Sequence, residues 1–328
     1  MEFQAFQAKE IKKLTSVRAN EVKIGESILA GSDYLADLSN CPAAFVLIGI
    51  PEDIGPRANC GRGGAYSAWL PFLGKFLNIQ ETSHIKGKDI LLLGAFDFKS
   101  TASYDSNDLD TLRNLVNQLD ELVSNLIEKV VKAEKNPIVI GGGHNNCYGI
   151  IKGISKAKAQ KINVCNLDPH ADYRSLEGRH SGNGFSYAKA EGYLNKYSIL
   201  GLHENYNSAE MIARLEQDGV HFNTFERIFI REEISFNDAV SESFAFVLDA
   251  DYGIELDLDS IENFPSSAQS PSGTTTQQAR YFVHHLASSK NAIYLHLPEA
   301  APSLVDGSAE QAGKLLAYLV SDFIKARK

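Results

Sequence analysis

Six residues with metal-binding side chains fall in three short clusters, each at the end of an apolar run. Pro137-Ile-Val-Ile140 leads into Gly-Gly-Gly-His144-Asn-Asn146, Ile162–Leu167 into Asp168-Pro-His170-Ala-Asp172, and Gly253–Leu256 into Asp257-Leu-Asp259. A fourth run, Ile293–Leu297, leads into Pro298-Glu299. If the runs are parallel strands, their carboxyl ends lie along one edge of the sheet, where the crevice outside the strands is the usual ligand site. His144, Asp168, His170, Asp172, Asp257 and Asp259 combine four carboxylates with two imidazoles, an oxygen and nitrogen set suited to Mn(II) or a similar divalent ion. Two divalent ions would cancel four aspartates, whereas the same aspartates without a cation would repel one another and resist ionisation.

The elements that must position these residues follow from the pattern around them. β-Branched or aliphatic runs alternate with amphipathic helical stretches, as in a mainly parallel sheet covered by helices on both faces. The expected strands are Ala44–Ile50, Asp89–Gly94, Pro137–Ile140, Ile162–Leu167, Tyr197–Leu202, Phe244–Leu248, Gly253–Leu258 and Ala292–Leu297. Leu112, Leu115, Val116, Leu119, Leu122, Val123, Leu126, Ile127 and Val130 recur at helical spacing and predict a helix over 109–135; a second begins near Ser308. Gly55–Trp69, Asp172–Phe185 and Ser260–Thr275 lack periodicity and are the expected functional loops. No linker or repeat divides the chain, which reads as one domain over 1–328, with 1–40 as a candidate N-terminal extension.

Composition excludes several classes. The chain has 328 residues, 44% of them hydrophobic, and a formal charge of −9, which makes nucleic acid and anionic membranes poor partners and a small molecule the expected one. The amino terminus lacks an apolar signal core and no run approaches a bilayer span, so a cytoplasmic protein is expected. Cys41, Cys60, Cys147 and Cys165 read as buried reduced thiols, and His284 and His285 as surface residues on a helix. Gly141–Gly143 lacks the spacing of a phosphate loop, and Ser181 lacks the glycine of a nucleophile elbow. Asp249-Ala-Asp251 is a second DxD; Asp257 and Asp259 are preferred because a long polar loop follows them. Arg57 and Arg62, in the first loop, are candidate clamps for a substrate carboxylate.

GGGHNN, NLDPHADYR and ELDLDSI, in that order, resemble the metal motifs of the ureohydrolases, the family of arginase, agmatinase and formimidoylglutamase. IGIPEDIGPRANCGRGGA at 48–65 is similar to the family's first strand and substrate-side loop, and LPEAAP at 297–302 to its last catalytic segment. The resemblance implies a three-layer αβα fold around a mainly parallel sheet of about eight strands, two Mn2+ per chain and hydrolysis of a guanidino or formimino C–N bond. It also implies a homo-oligomer, a trimer or hexamer. His144 and Asp172 with one aspartate of the DxD would hold one ion, and Asp168 and His170 with the other aspartate its neighbour. Asp259, Glu299 and His180 are the implied catalytic residues, and Arg57, Arg62, Arg179, Ser181 and Asn183 the implied substrate contacts.

Gly143 stands where arginases and agmatinases carry aspartate, which resembles formimidoylglutamases more closely. N-formimidoyl-L-glutamate, cleaved to L-glutamate and formamide, is therefore the expected substrate. The rivals are another guanidino hydrolase, a metal-dependent deacetylase, which needs fewer ligands, and a non-catalytic scaffold or regulatory protein.

Overall fold

Val46, Leu47 and Ile48 are consecutive, and none is exposed. A strand with both sides apolar must be covered on both faces, and in this chain it is. The protein is seen here in a computed structural model that describes residues 1–98 and 108–327. Its strands are β1 (Glu2–Ala5), β2 (Leu29–Ala30), β3 (Phe45–Gly49), β4 (Ile90–Asp97), β5 (Asn136–Ile140), β6 (Ile162–Leu167), β7 (Leu194–Leu202), β8 (His221–Thr224), β9 (Tyr252–Leu256) and β10 (Ala292–Leu297). They form one sheet in the order β1-β4-β3-β5-β10-β9-β6-β7-β8, with β2 added beside β4. From β4 to β8 every pairing is parallel, and β1 alone runs antiparallel, against β4.

Helices of eight residues or more are α1 (Trp69–Phe76), α2 (Leu109–Lys132), α3 (Asn146–Lys158), α4 (Ala209–Gln217), α5 (Phe236–Val247), α6 (Thr276–Ala287) and α7 (Ala309–Ala326). Side-chain alternation splits the strands between two cores. Phe45, Leu47, Ile90 and Leu92 join the apolar faces of α1, α5, α6 and α7, whereas Val46, Ile48, Leu91 and Leu93 join those of α2, α3 and α4. The result is the expected three-layer αβα arrangement, and no helix among the described residues is long and apolar enough to cross a membrane.

Seven of the expected strands and both expected helices are present, with ends displaced by a few residues. Phe244–Leu248 is not a strand: Phe244 to Val247 are the last turn of α5, whose N-cap Ser235 accepts the Asp238 N–H at 3.1 Å. A short apolar run has no period of its own, and the helix shows only in the wider spacing of Phe236, Ala239, Val240 and Val247. β1 and β8, at the two ends of the sheet order, carry mixed polar sequences and were not expected from hydropathy.

The four strands that lead into the candidate ligands are neighbours, β5-β10-β9-β6, in the middle of the order. Their registers align the strand ends, with Leu297 opposite Ile140 and Leu167 opposite Leu256. Against this sheet α2 and α3 pack closely at glycines: a Cβ on Gly153 would lie 2.5 Å from the Ser124 carbonyl oxygen and 2.9 Å from Ile127 Cβ. Gly153→Ala is therefore expected to lower stability by about 1–3 kcal/mol through overpacking. Gly74→Ala on α1, where a Cβ meets nothing within 4 Å, should instead raise it by about 0.5–1 kcal/mol. Urea midpoints of the two variants check both signs.

Candidate metal centre and substrate pocket

The His144 turn is built on a backbone that only glycine allows. Gly141 and Gly142 have φ of 84° and 76°, and a Cβ on Gly142 would lie 2.5 Å from Asn146 Nδ2 and 2.7 Å from the Ile50 carbonyl oxygen. Buried Glu52 then ties the turn to the loop after β3. Its Oε1 accepts the Gly143 N–H at 2.8 Å and Asn146 Nδ2 at 2.7 Å, and its Oε2 accepts the Ile54 N–H at 2.6 Å. Burial pushes the Glu52 pKa up, although these donors oppose the shift. The His144 N–H goes to Glu299 Oε1 at 2.7 Å. The amides that might have cradled a phosphate are thus committed inside the protein.

Three carboxylates converge on one nitrogen. His144 Nδ1 lies 2.9 Å from Asp172 Oδ2, 3.1 Å from Asp168 Oδ2 and 3.1 Å from Asp257 Oδ2. Asp168 turns its other oxygen, Oδ1, toward His170 Nδ1 at 3.6 Å, and Asp259 Oδ2 is 4.0 Å from the same nitrogen. The carboxylate of Asp168 therefore faces both imidazoles, as a bridge between two adjacent sites would. An imidazole nitrogen carries at most one proton, so Nδ1 of His144 can serve only one of its three oxygens. Donor atoms of His144, Asp168, Asp172 and Asp257 all lie within 4.8 Å of one another, a set that fits a divalent cation.

The titration behaviour has the same origin. Burial, reinforced by Asp259 and Asp168, pushes the Asp257 pKa well up. Asp172 and Asp259 are also raised, first by burial. Burial disfavours the charged imidazole of His170, but Asp168, Asp259 and Asp172 outweigh it and push the pKa up to about 10. Glu299 is pushed up to about 8 by burial and by the charge of Asp259. Protons gather where negative charge is crowded, and a bound cation displaces them. Asp172 and Glu299 also hold left-handed backbones, with φ of 46° and 64°, a cost typical of functional positions.

The ligand set opens into a cavity of about 400 Å³ whose wall includes His170, Asp172, Asp257, Asp259 and Glu299. Arg62 and Ser181 line it, as expected from sequence, together with Asn59, Arg174 and Tyr206, which were not expected. Tyr206 stacks on His170 with centroids 5.4 Å apart. Arg174 follows the last aspartate of the DxHxD cluster by two positions, a signal the sequence did carry.

The other expected substrate contacts lie away from the cavity wall. Arg179 is buried: Nε donates to Asp120 on α2 at 2.8 Å, Nη2 to the Asn145 carbonyl at 3.0 Å and Nη1 to Asn183 Oδ1. Its guanidinium also lies over the rings of Tyr148 and Tyr187. Asn183 is turned inward with it, and both serve to join the Ser181 loop to the His144 turn. Arg57 lies 3.7 Å from Asp53 Oδ1, outside the cavity lining. His180 is buried and does not line the cavity: Nδ1 accepts the Gly182 N–H at 3.1 Å, and Nε2 lies 3.2 Å from Glu177 Oε1. Burial pushes its pKa down to about 4, so it caps the turn as a neutral ring.

Asp249 and Asp251 precede β9 and so stand at the sheet edge opposite the ligands, where they meet Lys196 at 2.6 Å and Lys158 at 2.7 Å. Cys41, Cys147 and Cys165 are buried as expected, but Cys60 is exposed, on a loop where its backbone takes a left-handed φ of 59°. Sequence reading passed over Glu255 and His296, both wholly buried behind His144. Their signal was a charged residue inside strands that are otherwise apolar.

The sequence model of the arginase family matches residues 43–324. Formimidoylglutamases of Streptococcus pyogenes are 27% identical over 293 residues, covering 84% of this chain and 84% of theirs. Among solved structures, formiminoglutamase of Trypanosoma cruzi with Mn2+ superposes with a TM-score of 0.75 at 19% identity, over 94% of this chain and 98% of that one. Formimidoylglutamase from Bacillus subtilis gives 0.76 at 19% identity, over 95% and 93%. Proclavaminate amidino hydrolase from Streptomyces clavuligerus gives 0.69 at 16% identity, over 89% and 94%. At such identities the superpositions establish a shared fold.

If Asp168 is shared between two ions, Asp168→Asn should reduce bound manganese from about two equivalents to one or fewer, while Asp251→Asn leaves it unchanged. Elemental analysis of the purified variants after manganese loading and desalting measures this. Full loading of Asp168→Asn would contradict the assignment.

Proposed function

The chain belongs to the arginase family, and on that premise we propose that it hydrolyses N-formimidoyl-L-glutamate to L-glutamate and formamide. The observation that carries this reading is the charge layout of the cavity. Its wall carries the carboxylates of Asp172, Asp257, Asp259 and Glu299, and two arginines, Arg62 and exposed Arg174, line it as well. The substrate is a cationic amidine on a carbon chain that carries two carboxylates, so its charges complement both groups. Agmatine carries an amine and no carboxylate, and would bring positive charge toward the arginines. The similarity to proteins of Streptococcus, Trypanosoma and Bacillus named formimidoylglutamase or formiminoglutamase supports the same substrate class.

Two manganese ions fit the donors: His144, Asp168, Asp172 and Asp257 would hold one, and Asp168, His170, Asp257 and Asp259 the other. When bound, such ions lower the pKa of water and supply positive charge against the negative charge that develops on the attacked group. The chain's own residues do the rest. Glu299 keeps Oε1 on the His144 N–H, and its Oε2 is buried with no hydrogen-bond partner among the described residues, so it is available to accept an N–H from the amidinium. A fixed carboxylate stabilises that cation more once water is excluded. Asp259 is held by the Ala268 N–H at 2.9 Å and is placed to hydrogen-bond the departing nitrogen. Water adds its oxygen to the amidinium carbon and gives up both of its protons, the bond to the glutamate nitrogen breaks, and that nitrogen takes the two protons and leaves as the ammonium group of glutamate, while the oxygen stays in formamide.

Arg62→Ala and Arg174→Ala should each raise KM about ten- to a hundredfold, the loss of roughly 1.5–3 kcal/mol expected for a hydrogen bond to a charged group. Because the contact is the same in ground and transition states, kcat should hold nearly constant. The assay follows formamide from formimidoylglutamate and urea from arginine and agmatine, using manganese-loaded enzyme. Faster turnover of agmatine than of formimidoylglutamate by the wild type would overturn the substrate assignment.

A further inference from the structure

We infer that Glu255 is a positioning residue for His144, and that Tyr294 and His296 hold it in place. The inference rests on the two-metal reading of the site. Glu255 precedes Asp257 by two positions, and its side chain is wholly buried in the middle of the sheet. Across the β9–β10 pair it stands directly opposite His296. Its Oε2 lies 2.6 Å from His296 Nδ1 and 3.3 Å from His144 Nε2, and its Oε1 accepts the Tyr294 hydroxyl at 2.8 Å. The fold makes room for that hydroxyl. A Cβ on Gly253 would lie 1.8 Å from the Tyr294 ring, so the ring reaches Glu255 only because residue 253 is glycine.

This arrangement answers a question posed by His144. Its Nδ1 faces three carboxylates, so the ring serves a cation only if Nδ1 offers its lone pair and Nε2 carries the proton. Nε2 makes no hydrogen bond among the described residues, and the carboxylate it faces, at 3.3 Å, is that of Glu255. A carboxylate behind a metal-binding histidine selects that tautomer, fixes the ring and makes the ligand more basic. Glu255 must itself be held still. Tyr294 occupies one of its oxygens, and His296 meets the other from the side opposite in the strand register.

Glu255→Gln preserves shape and removes the charged acceptor. Manganese titration of the metal-free protein by calorimetry should show affinity at the His144 site weakened ten- to a hundredfold. With two equivalents of manganese added below that weakened affinity, electron paramagnetic resonance should show a spin-coupled pair in wild type and mainly an isolated ion in Glu255→Gln. A purely structural role would lower the melting temperature of the metal-free protein without altering affinity or coupling. Tyr294→Phe, which leaves Glu255 in place and removes one of its donors, should weaken the same site several-fold, and it decides the matter should Glu255→Gln fail to fold. Wild-type affinity and coupling in the folded variant would overturn the inference alone. A wild-type protein that binds no manganese would overturn the two-metal reading from which it starts.

Discussion

Three carboxylate oxygens within about 3 Å of one imidazole nitrogen cannot all be satisfied by the single proton that nitrogen is able to carry. The rest of the structure is organised around that surplus of buried negative charge. It is not dissipated into water, because the Asp168 and Asp257 side chains are almost wholly buried, nor diluted, because each follows the last residue of a buried strand. Without a cation the charge is held down by protons, as the raised pKa values of Asp172, Asp257 and Asp259 record. Two divalent ions in place of those protons would cancel the four aspartates and set cations beside the open cavity.

Much of the scaffold exists to keep that crowding in place. The central strands β5, β10, β9 and β6 end in register, which delivers ligands from distant segments to a single edge. Glu52 joins the glycine turn before His144 to the loop after β3, and Arg179 joins the far side of the same turn to Asp120 and the Ser181 loop. Each uses a buried charge fully supplied with hydrogen bonds, so each is rigid. Removing Asp120 would leave the Arg179 charge buried without its counter-ion, a change that costs several kcal/mol. The flexible groups are kept for the outside: Arg62 and Arg174, both exposed, line the opening where substrate enters.

The ligands were legible in the sequence because their signal is local. Asp168, His170 and Asp172 alternate at a strand end, and Asp257 and Asp259 do the same. A short apolar run such as Phe244–Leu248 reads alike as strand or helix, and read as a strand it makes Asp249 and Asp251 resemble a second pair at a strand end. The arginines were harder. Arg57, Arg62 and Arg179 all lie in loops, and nothing local says that Arg179 turns inward to Asp120, fifty-nine positions away. His180 was read as reactive, but it is a buried neutral cap whose partners are set by the turn that it closes. Glu255 and His296 stood out only as polar residues inside apolar strands, and their meaning lies in a pairing across two strands that only the register reveals.

On the proposed reading, this charge distribution would hold two cations that share Asp168. Crystals grown with Mn2+ and measured on either side of the manganese absorption edge test it most directly. Two anomalous peaks are predicted, one touching His144 and the other His170, with the Asp168 carboxylate between them. A single peak, or two peaks that do not share Asp168, would contradict the account.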